Sequence, residues 1–397
     1  MLPIWFKRGP APPPAREPPR GQQDTGTQPP GPHRQGPPSG TGETKVAGPR
    51  SASFDTLRLI GTVLVLVGHS FVLTNSAVPR VGGVPIHTLG LSIFFSLSGY
   101  LVMGSFLSDP NGARYLVKRS LRIFPGLFVV LLVTAFCIGP LVTEWSLSAY
   151  LRDRYTYLFV LQNVVLWYDD WLPGVFEFPP FDGAANGSLW TLSIEFCLYL
   201  VVPIFAWAGR ASRKVAAALL FALAVAAAFE GHRLKMLGEW KLYHFVLDDA
   251  LQLAPYFLCG MALRLMGFEP GAPIRVAMWC GALFLAAGLL PAPWNYLVGF
   301  APFAALVAAL GRSDLLAAPI LERVGDLSYG IYLIAWPIQG ALVVAFGGQG
   351  GAALNAAMTA CLALPWAWFS WRFIESPALA WKTRILAGRR PSLARAR

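Results

Sequence analysis

The sequence predicts an all-α polytopic membrane protein, a bundle of about ten transmembrane helices with both termini cytoplasmic. Three observations carry that prediction. The 397 residues are 55% hydrophobic and only 13% charged, whereas a soluble domain carries about 25% charged residues. From Phe54 onward, apolar runs of about twenty residues alternate with short polar breaks, and that length crosses a hydrocarbon core of about 30 Å. The fourteen Trp, twelve Tyr and twenty-six Phe suit interfacial belts and packed helices rather than one anchoring segment.

The expected spans are 54–75, 86–107, 123–142, 187–207, 214–230, 244–265, 275–292, 294–311, 326–346 and 353–372. With the N-terminus inside, the breaks "RYLVKRSLR", "GRASRK", "RLMGFEPGAPIR" and "GRSDLLAAPILERVGD" all fall on the cytoplasmic side and all carry Lys or Arg, as orientation requires. The long external segment 143–186 holds Glu144, Asp153, Asp169, Asp170, Glu177 and Asp182 against only Arg152 and Arg154. One break, 231–241, is basic on the wrong side.

The net charge of +11 lies mostly in the tails. Residues 1–50 hold seven Lys/Arg against three acids, and residues 373–397 hold six against one. Beside spanning helices such tails are cytoplasmic flanks that touch anionic membrane lipid, and the chain is not a nucleic-acid binder. Thirteen Pro and eight Gly in residues 1–50 preclude a core, so that segment reads as a disordered cytoplasmic tail. The membrane domain then spans 51–380, with a basic cytoplasmic tail at 381–397. The five cysteines lie in apolar stretches without a CxxC pair or a nearby His; they read as small core residues, with no metal site and no tightly bound cofactor.

Three polar clusters stand out against this background. In "DTLRLIGTVLVLVGHS" (55–70), Asp55, Arg58 and His69 share one stripe of the first span, with Arg58 and His69 eleven residues and roughly 16 Å apart along the axis. Ionisable groups inside a span face the bundle interior and mark sites or pathways. Asp55 and Arg58 read either as an interfacial ion pair closing the helix or as site residues, and His69 either as a hydrogen-bond partner across helices or as an imidazole poised for proton transfer near neutral pH. In "NGSLWTLSIEFCLYLVVP" (186–203), Asn186, Gly187 and Ser188 mark a helix start, and Glu195 lies two turns in with Thr191 and Tyr199 one turn to either side. In "KRSLRIFP" (118–125), Arg119 and Arg122 read either as ordinary positive-inside anchors or as two guanidinium forks suited to phosphate. Walker A, GxGxxG, HExxH and GxSxG patterns do not occur.

Taken in order, these segments resemble the bacterial integral-membrane acyltransferase-3 family over about residues 52–380. The resemblance rests on Asp55, Arg58 and His69; on "FFSLSGYLV" (94–102); on Arg119, Arg122 and Pro125; on Trp190, Ser193, Glu195, Tyr199 and Pro203; on "LSYGIYLIAWP" (327–337); and on Arg372, Glu375 and Pro377. It implies an O-acetyltransferase of the bacterial cytoplasmic (inner) membrane. The acyl group, acetyl foremost, would pass from acyl-CoA to a hydroxyl of a cell-surface or exported carbohydrate or glycolipid. His69 would be general base or acyl carrier, and Glu195 would orient it or balance its charge. Arg119 and Arg122 would hold CoA phosphates. Arg58 would bind the donor or pair with Asp55 or Glu195. Trp190, Ser193 and Tyr199 would support the site, and Ser328 and Tyr329 would line the donor channel. The competing reading is a proton-coupled secondary transporter using the same ionisable residues; it lacks a second copy of either motif in the other half of the chain.

Overall fold

The computed structural model describes residues 49–237, 241–242 and 245–387. All but the last two residues of the predicted disordered segment, and the end of the basic tail, lie outside them. Each of the ten expected spans is occupied by a helix. In chain order these are α1 (Pro49–Leu73), α2 (Ile86–Ser108), α3 (Gly112–Val133), α7 (Trp190–Ala211), α8 (Arg213–Leu237), α9 (Leu247–Leu265), α10 (Pro273–Ala287), α11 (Trp294–Gly311), α13 (Ser328–Phe346) and α14 (Gly351–Ser370). Among the described residues, eight helices are long and apolar enough to cross a membrane. The other two are α9, which carries Asp248, Asp249 and Arg264, and α10, whose 15 residues reach only about 22 Å.

Between α3 and α7 the chain forms a π-helical turn (Thr134–Ile138), then α4 (Gly139–Val142), α5 (Leu147–Arg152) and α6 (Arg154–Val164). Ser146 and Asp153 cap the latter two by accepting from Ala149 N (3.3 Å) and Tyr155 N (2.8 Å). The hairpin of β1 (Arg80–Val81) and β2 (Val84–Pro85) precedes α2. Another hairpin, β3 (Lys241–Leu242) with β4 (Phe245–Val246), precedes α9, and α12 (Pro319–Val324) precedes α13. A π-helical turn (Trp371–Glu375) joins α14 to α15 (Ser376–Ala387).

The core is centred on α2, whose apolar window is 78% buried against 28–56% for the other spanning helices. It packs most extensively on α9 and α1. Small residues permit this closeness, since a Cβ at Gly99 would stand 2.0 Å from Phe257 O and one at Gly260 2.4 Å from Ser96 O. Close helix approach through small residues is how packing replaces the hydrophobic drive inside lipid. The outward faces are apolar: Trp207, Met278, Trp279 and Leu289 are 69–88% exposed, which in water would be an aggregation hazard and in a bilayer meets acyl chains.

The segment 143–186 is ordered, folding over one end of α13. Bridges pair Thr143 with Val175 and Trp171 with Ala184, and Leu172, Phe176 and Phe181 are buried. Asn186 Nδ2 donates to Leu333 O at 2.9 Å and Trp336 Nε1 to Ala184 O at 2.9 Å.

Three expectations need correction. Asn186–Ser188 form a turn in which Asn186 accepts from Ser188 N (3.2 Å), and α7 starts only at Trp190 with no side-chain cap, because Asn186 is held by α13 instead. The basic break at 231–241 is, as far as Leu237, the last turns of α8, where Arg233 pairs with Glu230 at 2.6 Å. Of the cysteines only Cys259 is buried; Cys280 is half-buried, and Cys137, Cys197 and Cys361 are exposed, since outward positions of these helices tolerate any apolar side chain.

Candidate functional site

A cavity of about 110 Å³ opens between α1, α2, α3, α7 and α13, roomy enough for several waters or the slender end of a chain. Its polar lining is Arg58, Ser98, Arg119, Arg122, Thr191, Glu195, Tyr199, Ser328, Tyr329 and Tyr332, against apolar walls that include Phe94, Phe95 and Ile123. Residues from five of the quoted motifs thus meet in one place.

At its centre Glu195 accepts two hydrogen bonds on one oxygen, from Ser98 Oγ (2.6 Å) and Tyr199 OH (2.5 Å). One turn before Glu195, the Thr191 hydroxyl hydrogen-bonds with Tyr332 OH at 2.5 Å, and either oxygen can donate. The helical spacing that places Thr191 and Tyr199 on the Glu195 face therefore delivers both to the cavity.

The three arginines are not equivalent. Arg122 is committed to two carboxylates, Asp326 at 2.5 Å and Glu375 at 3.2 Å. Arg58 pairs with Asp55 at 2.6 Å and approaches Asp326 at 3.8 Å. Asp326 also accepts from the Ser328 hydroxyl and backbone N–H. Burial pushes its carboxyl up, but Arg122, Arg58 and the Ser328 bonds outweigh it and hold the group below the ordinary carboxylate range. Arg119 makes no ion pair among the described residues; its guanidinium lies 5.8 Å from the Tyr199 ring centroid, and its Nε is buried without a partner. Of the two forks expected to grip phosphate, Arg119 is thus uncommitted and Arg122 holds the bundle together.

His69 lies elsewhere. Its ring stands 5.8 Å from that of His87 on α2 and edge-on to Trp336 on α13 at 5.0 Å, and it does not line the cavity. Glu195 therefore does not orient His69. The reason can be read along α2, which contributes His87 beside His69 and Ser98 beside Glu195; eleven residues separate these two points, about 16 Å of helix.

The remaining expected residues divide similarly. Tyr199, Ser328 and Tyr329 line the cavity, with Tyr329 OH donating to Ile123 O at 2.7 Å. Ser193 is buried outside it, donating to Leu166 O at 2.8 Å, and Trp190 packs into the core at the start of α7. Both are structural here. Sequence reasoning did not single out Ser98, Asp326, Glu375 or His87 as site residues. Ser98 and Glu375 lie inside quoted motifs, and the signal at His87 was an imidazole one residue inside a span.

A family model described as an acyltransferase domain matches residues 51–372. The chain is 28% identical over 386 residues to nodulation protein 10 of Rhizobium leguminosarum bv. viciae, covering 85% of this chain and 95% of that protein. It is 25% identical over 325 residues to acyltransferase MdmB of Streptomyces mycarofaciens, covering 72% and 78%. To the O-acetyl transferase of Shigella phage Sf6 it is 29% identical over 157 residues, 39% of this chain and 46% of that one. No solved structure matches the chain. The family match takes in the Asp55, Arg58 and His69 helix, the arginine pair and the Glu195 helix, and it displaces the transporter reading. This multi-pass membrane protein belongs to the acyltransferase-3 family and is an acyltransferase.

Proposed function

We propose that the protein is an O-acyltransferase of the bacterial inner membrane that moves an acetyl group from acetyl-CoA to a hydroxyl of a cell-surface or exported carbohydrate or glycolipid. The observation that carries this reading is the division of the bundle into an arginine-lined cavity around Glu195 and a histidine site about three helical turns away. The likeness to a phage protein named O-acetyl transferase favours acetyl.

In this account the arginine-lined end faces the cytoplasm. Arg119, and Arg58 where Asp55 yields, meet the CoA phosphates as charge-assisted donors. The cavity admits the pantetheine arm, a slender chain whose thioester end can bridge the distance that a rigid nucleotide cannot. Ser98, Glu195 and Tyr199 position that arm, while Ser328 and Tyr329 line its path. The acceptor hydroxyl approaches from the opposite end, and His69 takes its proton as the oxygen attacks the acyl carbon, or carries the acyl group on a ring nitrogen between two transfers.

The test uses membranes of cells producing the protein, supplied with acetyl-CoA labelled in the acetyl group. The reading expects protein-dependent label in alkali-labile esters of endogenous glycan. CoA retention with no ester formed would overturn it.

A further inference from the structure

The site at His69 contains a second imidazole that none of the family motifs includes. His87 sits in the first turn of α2, and its ring centroid is 5.8 Å from that of His69 with the planes inclined by 34°. Both rings carry a buried Nδ1 with no hydrogen-bond partner among the described residues. Buried polar nitrogens are normally satisfied, so two unsatisfied ones on adjacent rings mark a place where a hydroxyl or water binds in the working enzyme.

The closeness of the rings depends on Gly68, next to His69. A Cβ there would lie 2.7 Å from both the backbone N and the Cβ of His87, closer than such atoms approach. Any larger residue at 68 would force α1 and α2 apart at this level.

We propose that His87 is a positioning and proton-relay residue for acyl transfer, acting through His69. The inference rests on the reading of His69 as the proton acceptor. When the acceptor oxygen bonds to the acyl carbon, its O–H bond breaks and the acyl C–S bond breaks. The hydroxyl proton goes to His69, and the thiolate takes a proton on the donor side of the bundle. Where the thiolate departs with CoA and is protonated in the aqueous phase, each turnover leaves one proton on the buried His69 imidazole, to be shed before the next. His87, beside that imidazole, follows two residues after β2 of the β1–β2 hairpin, where Arg80 and Val81 are exposed. Arg80 of that hairpin is held to Gly83 O by bonds of 3.0 and 2.7 Å. Trp336, whose indole nitrogen is occupied by Ala184, closes the third side of His69 with an aromatic edge and offers the proton no route.

The test compares His87→Ala and His87→Gln in membranes supplied with labelled acetyl-CoA, with ester label on endogenous glycan as readout and free imidazole added in a parallel series. The expected result is a fall in kcat of tenfold or more for both variants, an unchanged KM for acetyl-CoA, and partial recovery by imidazole of His87→Ala alone. Unchanged kcat in His87→Ala, or a loss that imidazole does not restore while the variant accumulates normally, would overturn the relay. Gly68→Ala should reproduce the kcat loss with His87 intact. Failure of the parent reading looks different: His69→Ala would then retain activity, whatever the result at His87.

Discussion

The Ser98 hydroxyl donates to Glu195 at 2.6 Å, and this bond ties α2 to α7 about three turns from the point where α2 meets His69. The two halves of the site are therefore mechanically separate, and their energetics should be too. Ser98→Ala and Tyr199→Phe both remove a bond to the same Glu195 oxygen, so their effects on thermal stability should couple by at least about 0.5 kcal/mol. Ser98→Ala and His87→Gln lie too far apart to share partners and should add within about 0.5 kcal/mol. Double-mutant cycles in detergent check both.

Arg119 and Arg122 should part company when truncated. Arg119 has no ion-pair partner to strand, so Arg119→Ala should leave the unfolding temperature near the parent value. Losing a charge-assisted contact of about 1.5–3 kcal/mol to phosphate should raise the KM for acetyl-CoA at least about tenfold. Kinetics at varied donor concentration measure it.

Arg122→Ala should instead destabilise the protein by about 3 kcal/mol, the lower end for a broken buried pair because the Arg122 side chain is 23% exposed. The loss arises mainly from Glu375, 2% exposed, whose buried carboxyl loses its cation and keeps only Ser370 as a donor among the described residues (2.9 Å). Glu375→Gln on the Arg122→Ala background replaces that carboxyl with a neutral amide and should recover part of the loss, a result readable by thermal unfolding.

Gly99→Ala should lower stability by about 1–3 kcal/mol, the usual cost of overpacking, because its methyl would collide with the Phe257 carbonyl. Reduced yield and unfolding temperature, with transfer per folded molecule little changed, are the expected signs.

Much of this was legible in the sequence because lipid imposes length and polarity on each span. The ten helices fall where the apolar runs are, and the stripe of Thr191, Glu195 and Tyr199 follows from helical period alone. Distances within one helix were equally readable, so the separation of Arg58 from His69 was correct before any fold was known. Partnerships between helices were not. Glu195 looked like a natural companion for His69 because both are polar groups deep in apolar segments, yet depth measured along two helices says nothing about level across the bundle. Arg122 looked like a phosphate ligand because its partners Asp326 and Glu375 lie 204 and 253 residues away. Residues 143–186 read only as an external segment: beyond α5 and α6, the order of 165–186 comes from tertiary packing of Phe176, Phe181 and Trp336 rather than from any periodic pattern.

The central claim is that acyl transfer is directed from His69. Its most direct measurement is label transfer from acetyl-CoA to alkali-labile glycan ester by His69→Ala, with the variant's membrane level quantified alongside. The account predicts transfer at background with the protein at parental abundance. Appreciable transfer by a normally inserted His69→Ala protein would contradict it.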